Sequence, residues 1–82
     1  MSYFVYVLKC NDGTLYTGIT VDVKKRLKEH NESLKGAKYT RARRPVALVY
    51  SEESTDRSSA SKREYAIKKL TRKEKLELIA SN

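Results

Sequence analysis

The sequence contains five side chains whose types suit acid–base and phosphate chemistry: Tyr6, Tyr16, Arg26, His30 and Glu64. A histidine or tyrosine can hold or pass a proton, an arginine presents a rigid fork of donors to a phosphate, and a carboxylate can bind a divalent cation. Each type also has an ordinary structural use, as a core aromatic, a solvated cation or half of a salt bridge. The predicted elements that carry these residues therefore decide whether they meet in one site.

Both tyrosines lie in a predicted β-hairpin. Residues Tyr3–Lys9 and Leu15–Thr20 are rich in aromatic and β-branched side chains, and Asn11-Asp12-Gly13 between them offers the positive φ that a tight turn requires. If the numbers of paired residues add to an even value, Tyr6 and Tyr16 share one face of the sheet, directly or diagonally opposite each other. A slip of one residue would separate them.

Gly18 would follow Tyr16 on the same face of the second strand. We expect it to leave a gap in the surface beside the two tyrosines. A glycine inside a strand marks either a close approach by backbone or ligand, or a β-bulge. Both interpretations remain open at this point.

The next segment predicts a helix that carries the arginine and the histidine. Asp22 occupies an N-cap position, and the helix runs from Val23 to about Ser33. Arg26 and His30 are one turn apart on one helix face, so we expect both at the edge of the core beside the hairpin. The apolar stripe of this helix is formed by Val23, Leu27 and Leu34.

A basic loop separates this helix from a third strand. Residues Lys35–Arg44 carry five positive charges and no acid. Pro45 ends the loop, and Val46–Tyr50 follows with almost every side chain apolar. A run of that kind is typical of a strand buried on both faces, which is the expectation here.

The remaining sequence predicts two helices. Thr55 or Asp56 caps the first, which extends to about Leu70, and Glu64 lies on its buried stripe together with Ala60 and Ile67. An inward carboxylate is costly unless it is paired or bound to a metal, so a salt bridge to Arg26 or a lysine is the alternative to a metal site. The last helix begins at a capping box, Thr71 to Glu74, and we expect it to turn Leu76 and Ile79 inward.

Composition limits the possible functions. A chain of 82 residues is one domain, here 1–82, and its net charge of +8 favours polyanions as partners. Cys10 and His30 are the single residues of their types, too few for a structural zinc site or a disulfide framework. The start of the chain lacks a signal peptide pattern, and no apolar run is long enough for a membrane span, so we expect a cytoplasmic protein without membrane contact.

In combination, these residues resemble the GIY-YIG nuclease superfamily over almost the whole chain. Its first motif is matched by Phe4-Val5-Tyr6, its second by Tyr16-Thr17-Gly18, its helix arginine by Arg26 and its late glutamate by Glu64. The most similar members are small stand-alone bacterial proteins of uncharacterised function. They share the run that here is Gly36-Ala37-Lys38-Tyr39-Thr40-Arg41, followed by Arg44-Pro45.

The resemblance implies an α+β fold, a three-stranded antiparallel sheet flanked by helices in the order β-β-α-β-α-α, which agrees with the elements above. It also implies hydrolysis of a phosphodiester with one divalent ion, Mg²⁺ or Mn²⁺. Glu64 would hold that ion and Arg26 would steady the phosphate. Tyr6 and Tyr16 would line the site, one of them acting on the attacking water, and His30 would be a proton-transfer partner.

The chain departs from the family motifs at four positions. Phe4 replaces a glycine and Val5 an isoleucine in the first motif, and Thr17 replaces the central isoleucine of the second. Ile19 stands where the excision-repair members have a lysine, so one positive group near the phosphate is missing. None of these changes removes a residue that the implied mechanism requires.

The leading hypothesis is a metal-dependent endonuclease acting on DNA, with branched or single-stranded DNA as the expected substrate. The alternatives are a non-catalytic nucleic-acid-binding module that keeps the fold, with a protein partner supplying further DNA-binding surface, and a basic protein that binds other proteins. A single short basic loop contacts phosphates rather than reading bases. The residues expected to bind nucleic acid are Gly18, Lys35, Lys38, Tyr39, Thr40, Arg41, Arg43 and Arg44.

Overall fold

The first strand of the chain forms the centre of an antiparallel three-stranded sheet with the order β2-β1-β3. The structure is a computed structural model that describes residues 2–33 and 35–81, so the predicted place of Leu34 on a helix stripe lies outside the described residues. The elements are β1 (Tyr3–Lys9), β2 (Leu15–Thr20), α1 (Val23–Glu32), α2 (Lys38–Arg41), β3 (Ala47–Ser54), α3 (Arg57–Lys68) and α4 (Arg72–Ala80). The predicted fold class and element order are confirmed, with one short helix, α2, inside the segment expected to be a loop.

The hairpin has the even register that brings the two tyrosines together. Tyr6 pairs with Gly18 and Leu8 pairs with Tyr16, so Tyr16 lies diagonally opposite Tyr6 on the same face. Gly13 takes the positive φ of 86° in the turn, as the Asp-Gly signal predicts. The register is the condition on which the predicted site depends.

Side chains on the two faces of the sheet form two clusters. On one face, Val5 and Val7 of β1 pack with Ala60 and Ile67 of α3. On the other face, the cluster is formed by Tyr6, Leu8, Cys10 and Val46, and Leu27 of α1 packs against it. Since successive strand residues point to opposite faces, β1 contributes to both clusters and α1 and α3 lie on opposite sides of the sheet.

The prediction for β3 is wrong in its bounds and in its burial. The strand continues to Ser54, and it pairs only with β1 because it lies at the edge of the sheet. Ala47 and Leu48 are exposed, whereas an internal strand would be covered on both faces. The apolar run therefore ends in an edge strand, and β1, with its four consecutive buried residues, is the strand covered on both sides.

The helix termini follow the predicted capping residues. Asp22 accepts a hydrogen bond from the Lys25 amide at 3.0 Å, and Asp56 accepts one from the Ser59 amide at 2.7 Å. At the start of α4, Thr71 and Glu74 form the reciprocal capping box. No helix in the described part of the chain is long and apolar enough to cross a membrane.

The inward face of α4 differs from the prediction in one residue. Leu76 is 43% exposed, whereas Leu78 packs beside Ile79 against the cluster that contains Val5 and Ile67. The helix therefore docks through the side that carries Leu78 and Ile79, with Leu76 turned to solvent. The expectation for Ile79 is confirmed and that for Leu76 is wrong.

Gly18 leaves space that the ring of Tyr6 fills. A Cβ atom at position 18 would lie 2.6 Å from the Tyr6 hydroxyl oxygen and 2.7 Å from its Cζ. We expect Gly18→Ala to lower the free energy of unfolding by roughly 1–3 kcal/mol, because the Tyr6 ring has to shift within a packed core. Urea denaturation measures this loss.

A Tyr6→Leu background supplies the control, since leucine lacks the atoms that meet the new methyl group. There the Gly18→Ala change should cost less, giving a measurable coupling between the two positions. Equal costs in both backgrounds would show that the close approach of Tyr6 does not restrict position 18.

Candidate active site

His30 is the centre of a buried hydrogen-bond chain. Its ring is fully buried, with Nε2 lying 2.8 Å from the Tyr6 hydroxyl oxygen and Nδ1 lying 2.7 Å from Thr40 Oγ1. These side-chain hydrogen bonds join β1, α1 and α2. His30 is predicted at the edge of the core but lies within it, in contact with Tyr6 of the first motif.

Both ring nitrogens of His30 have hydrogen-bond partners. Nδ1 has two of them, Thr40 Oγ1 at 2.7 Å and the Ala37 amide, which donates to it at 3.4 Å. The Thr40 hydroxyl also lies 2.9 Å from the Ala37 carbonyl oxygen, to which it can donate. The Ala37 amide favours an unprotonated Nδ1, whereas a Thr40 hydroxyl directed to the carbonyl oxygen favours Nδ1–H, and the direction of the Tyr6–His30 hydrogen bond follows the tautomer.

The local environment keeps both members of this pair neutral at pH 7. Burial, followed by the positive charge of Arg26, lowers the pKa of His30 to about 4. Burial also raises the pKa of Tyr6 to about 12, although the nearby Arg26 guanidinium acts in the opposite direction. Desolvation thus outweighs the favourable cation and disfavours both an imidazolium and a phenolate.

Tyr16 occupies the more accessible side of the same cluster. Its ring meets His30 edge-on at 5.2 Å between centroids and stacks on Tyr39 of α2 at 5.9 Å. Tyr16 is half-buried, whereas Tyr6 is only 2% exposed. The two predicted tyrosines are therefore close together but differ in their access to solvent.

Arg26 borders this cluster from α1. Its Nη1 donates to Glu29 at 3.1 Å and to the Lys35 carbonyl oxygen at 2.8 Å, and its guanidinium is close enough to the Tyr6 hydroxyl to act on its pKa. The side chain is 27% exposed. Arg26 thus joins the predicted site and keeps a surface toward solvent.

Glu64 approaches from α3, on the other side of the sheet. Its carboxylate is close enough to contribute to the raised pKa of Tyr6, and it also pairs with Lys68 at 3.4 Å. The side chain is 23% exposed, so the carboxylate is half-buried and the expected lysine salt bridge is present. Within residues 2–33 and 35–81, no three His, Cys, Asp or Glu side chains converge, so a divalent ion here would rely on one carboxylate with water and phosphate oxygens.

The basic segment is fastened to the hairpin turn. Arg43 donates to the Asp12 carboxylate at 3.0 Å, its carbonyl oxygen accepts from the Asn11 amide at 2.9 Å, and its guanidinium lies 3.8 Å from the centre of the Tyr39 ring. The ring of Tyr39 thus already contacts Tyr16 and Arg43. These contacts hold α2 over the site.

Two residues expected on the nucleic-acid surface have internal roles. Thr40 is fully buried against His30, so the expectation that its side chain contacts nucleic acid is wrong in this structure. Arg44 donates to the carbonyl oxygens of His30, Ser33 and Glu29, closing the C-terminal end of α1. Contact of Arg44 with nucleic acid remains a prediction that has to compete with these bonds.

The other predicted binding residues are placed differently. Lys35, Lys38 and Arg41 are exposed, Tyr39 is 38% exposed, and Arg43 is half-buried between its partners. Gly18 is buried beneath the ring of Tyr6, which accounts for the glycine without a ligand. No bulge interrupts the β1–β2 pairing at this residue.

Sequence reasoning missed the support that α2 gives to the site. Gly36 is buried where a Cβ would lie 2.7 Å from the Glu29 carbonyl oxygen, so only glycine lets this segment pass against α1. Thr40 follows His30 across an irregular segment, and neither helix nor strand periodicity relates the two residues. The shared run from Gly36 to Arg41 is the available signal for this segment, but by residue type it predicts nucleic-acid contact for Thr40.

The arrangement of Tyr6, Gly18, Tyr16 and Arg26 agrees with the match to a family model. Residues 2–77 match the GIY-YIG catalytic domain. The chain belongs to the GIY-YIG family. This family is one of nucleases, and its members generally use a divalent metal ion.

Curated relatives of this GIY-YIG chain are small proteins of similar length. UPF0213 protein DP2720 of Desulfotalea psychrophila is 58% identical over 81 residues, covering 99% of this chain and 74% of the relative. UPF0213 protein SERP0126 of Staphylococcus epidermidis is 58% identical over 77 residues, covering 94% and 93%. These relatives are of uncharacterised function.

Two solved structures share the GIY-YIG fold seen here. The solution NMR structure of the UPF0213 protein BH0048 from Bacillus halodurans has a TM-score of 0.65 at 44% identity and covers 100% of this chain and 86% of that one. The NMR structure of EF2693 from E. faecalis has a TM-score of 0.63 at 46% identity, covering 95% and 83%. Both matches support the fold and leave the chemistry to be tested.

The buried neutral His30 predicts a pH-dependent stability. Its pKa is depressed in the folded state, so its contribution is complete above the ordinary value of 6.5 and is lost as the pH falls toward about 4. We expect the free energy of unfolding to drop by about 2 kcal/mol between about pH 7 and about pH 5. His30→Gln, which cannot titrate, should flatten this slope in urea titrations, and an unchanged slope would contradict the assignment.

Arg44 and Arg41 offer a matched test of structural and surface arginines. Arg44→Met removes the donors to three carbonyl oxygens, so we expect a loss of about 2 kcal/mol in the free energy of unfolding. Arg41→Met removes the same charge from an exposed side chain and should cost about 0.5 kcal/mol or less. Equal losses in chemical denaturation would show that the bonds of Arg44 add nothing to the fold.

Proposed function

We propose that this protein is a divalent-metal-dependent endonuclease that hydrolyses phosphodiester bonds in DNA in the cytoplasm, with branched or single-stranded DNA as substrate. The observation that carries the proposal is the Tyr6–His30 hydrogen bond at 2.8 Å, with Tyr16 against the same ring and the Arg26 guanidinium close enough to act on the pKa of the same phenol. A protein that only binds has no need for a buried tyrosine–histidine pair beside a cation and a carboxylate.

Tyr6 acts as the fixed member of the pair. It is 2% exposed, and burial raises its pKa to about 12, so it is a poor base at neutral pH. Its hydroxyl instead positions the imidazole of His30 through Nε2. Because the pKa of Tyr6 is raised and that of His30 is lowered, both groups stay neutral at pH 7, and the pair fixes the geometry of the site.

Tyr16 is the tyrosine that meets the attacking water. It is half-buried, and its ring is held between His30 and Tyr39, which fixes the direction of its hydroxyl. Fixed orientation of the nucleophile contributes to the rate because the entropy of positioning is lost on folding rather than during the reaction. Tyr16 therefore orients water. The hydrogen-bonded Tyr6 and His30 pack beneath Tyr16 and hold its ring in place.

Arg26 binds the phosphate that is cut. Its partly exposed guanidinium offers planar donors to phosphate oxygens and meets the negative charge that develops as the water attacks phosphorus and the P–O bond breaks. Glu29 and the Lys35 carbonyl oxygen hold this group in place before substrate arrives. Such preorganisation avoids reorganisation at the moment of reaction.

Glu64 is the residue that would hold one divalent ion, Mg²⁺ or Mn²⁺. The bound ion would supply positive charge that acidifies water and offsets charge on the phosphate. The half-buried carboxylate suits this role because it has an open side for water and phosphate oxygens. The Lys68 ammonium satisfies the same carboxylate at 3.4 Å in the structure.

The second candidate is a nucleic-acid-binding module that keeps the GIY-YIG fold without cutting, with a protein partner supplying more DNA-binding surface. The Glu64–Lys68 pair favours this alternative, because the carboxylate already has a cationic partner. Exposed Lys35, Lys38 and Arg41 serve either function.

Cleavage assays on linear, nicked, flapped and four-way DNA, with Mg²⁺ or Mn²⁺ and with chelator, separate the two candidates. We expect metal-dependent cutting by the wild type and losses of about 100-fold or more in Glu64→Gln and Arg26→Gln. Glu77→Gln, which removes an exposed carboxylate on α4, is the control and should cut like the wild type.

The same variants are then compared in binding. Undiminished DNA affinity of Glu64→Gln together with lost cutting would support catalysis. Salt-sensitive binding by all variants with no cutting by the wild type would reject the nuclease and leave the binding module.

A further inference from the structure

The outer sides of α3 and α4 carry a second cationic surface that the proposed site does not use. Along α3, Lys62, Tyr65 and Lys69 follow one another at helical spacing on one side. Arg72 and Lys73 follow in the sequence at the start of α4. All five side chains are exposed, and we name them the α3–α4 basic surface.

Folding does not account for these charges. The ion pairs among the described residues involve the cations Arg26, Arg43, Arg63 and Lys68, and none belongs to the α3–α4 basic surface. Arg72 and Lys73 moreover lie in the first turn of α4, where the helix dipole disfavours positive charge. These cations therefore oppose the helix that carries them, which is consistent with a use outside the fold.

An exposed aromatic ring lies among the cations. Tyr65 is 61% exposed, and the Lys69 ammonium lies 4.5 Å from the centre of its ring. Aromatic rings beside lysine and arginine suit nucleic acid, in which bases stack and phosphates attract cations. An acidic protein would use the charges but not the ring.

The α3–α4 basic surface is separate from the proposed site. Successive residues of a helix lie about 100° apart, so Glu64 points roughly 130° away from the side that carries Lys62, Tyr65 and Lys69. The buried residues Ala60 and Ile67 lie on the opposite side of α3, so this surface faces away from the sheet. The basic segment that contains Lys38 and Arg41 contacts α1 instead. The chain thus carries two separate cationic regions.

We propose that the α3–α4 basic surface binds the sugar–phosphate backbone of the nucleic acid that enters the site. This deepens the proposed function, on which it rests for the identity of the ligand. Because the surface faces away from the sheet, a nucleic acid that contacts both it and the proposed site has to pass around α3. A substrate of that kind is long or branched.

Neutralising variants with equal charge changes test the proposal. One variant combines Lys62→Gln, Lys69→Gln and Lys73→Gln, and the control combines Lys24→Gln, Lys25→Gln and Lys28→Gln on the exposed side of α1. Affinity for labelled single-stranded and four-way DNA is measured by fluorescence anisotropy over a range of NaCl concentrations. Thermal unfolding of both variants checks that the fold is kept.

We expect the α3–α4 variant to lose about ten-fold in affinity near 0.1 M salt and to reduce the slope of log K against log salt by about 2, as lost phosphate contacts would. The α1 control should lose about two-fold or less. Equal losses in both variants would show an effect of net charge alone and overturn the proposal, as would an unchanged affinity in the α3–α4 variant. Equal competition by poly-glutamate of the same charge would also overturn it, in favour of an acidic protein.

The cleavage assay keeps this proposal distinct from the proposed function. If the wild type binds through α3–α4 without cutting, the nuclease proposal is rejected and the proposal for the α3–α4 basic surface is supported. If the wild type cuts and depends on Glu64, but affinity and cutting survive the α3–α4 changes, only the proposal for the surface is rejected. If the wild type binds no nucleic acid, both proposals are rejected.

Discussion

The hydrogen-bond chain from Tyr6 through His30 to Thr40 is the constraint on which the rest of the site depends. It joins the central strand, the first helix and the short helix α2, and every buried side-chain polar atom in the described residues has a partner. Removal of any member leaves the others without a hydrogen-bond partner. This is destabilising because an unpaired buried polar group costs more free energy than a paired one contributes. Fold and site are thus stabilised by the same contacts.

The hydrogen-bond chain of Tyr6, His30 and Thr40 also sets the electrostatics of the site, because its buried members are neutral. Arg26 and Arg44 lie near a neutral imidazole rather than an imidazolium, and both cations reinforce the effect of burial on His30. The positive charge of the protein therefore stays on its outside, where it can meet an anion. The interior holds neutral donors and acceptors, so it adds no charge that would compete with the cations on the surface.

Local patterns predicted most of the fold because the local signals agreed with one another. Asp22, Asp56 and the Thr71–Glu74 capping box start their helices as expected, and the Asp12-Gly13 turn sets the register that brings the tyrosines together. The errors arose where tertiary placement decides. An apolar run does not reveal that β3 is an edge strand, and no periodicity relates Thr40 or Arg44 to α1. Roles assigned by residue type therefore failed where burial changed the use of a side chain.

The position of the first motif on β1 has a consequence for how the molecule opens. Tyr6 lies between two hydrogen-bonded neighbours, and the residues beside it enter the clusters on both faces of the sheet. A fluctuation that frees this strand has to break both ladders and both clusters, so its amide hydrogens should exchange with solvent only through global unfolding. Segments such as α2 can open in smaller events. The candidate site therefore lies on the strand whose amide hydrogens should exchange most slowly.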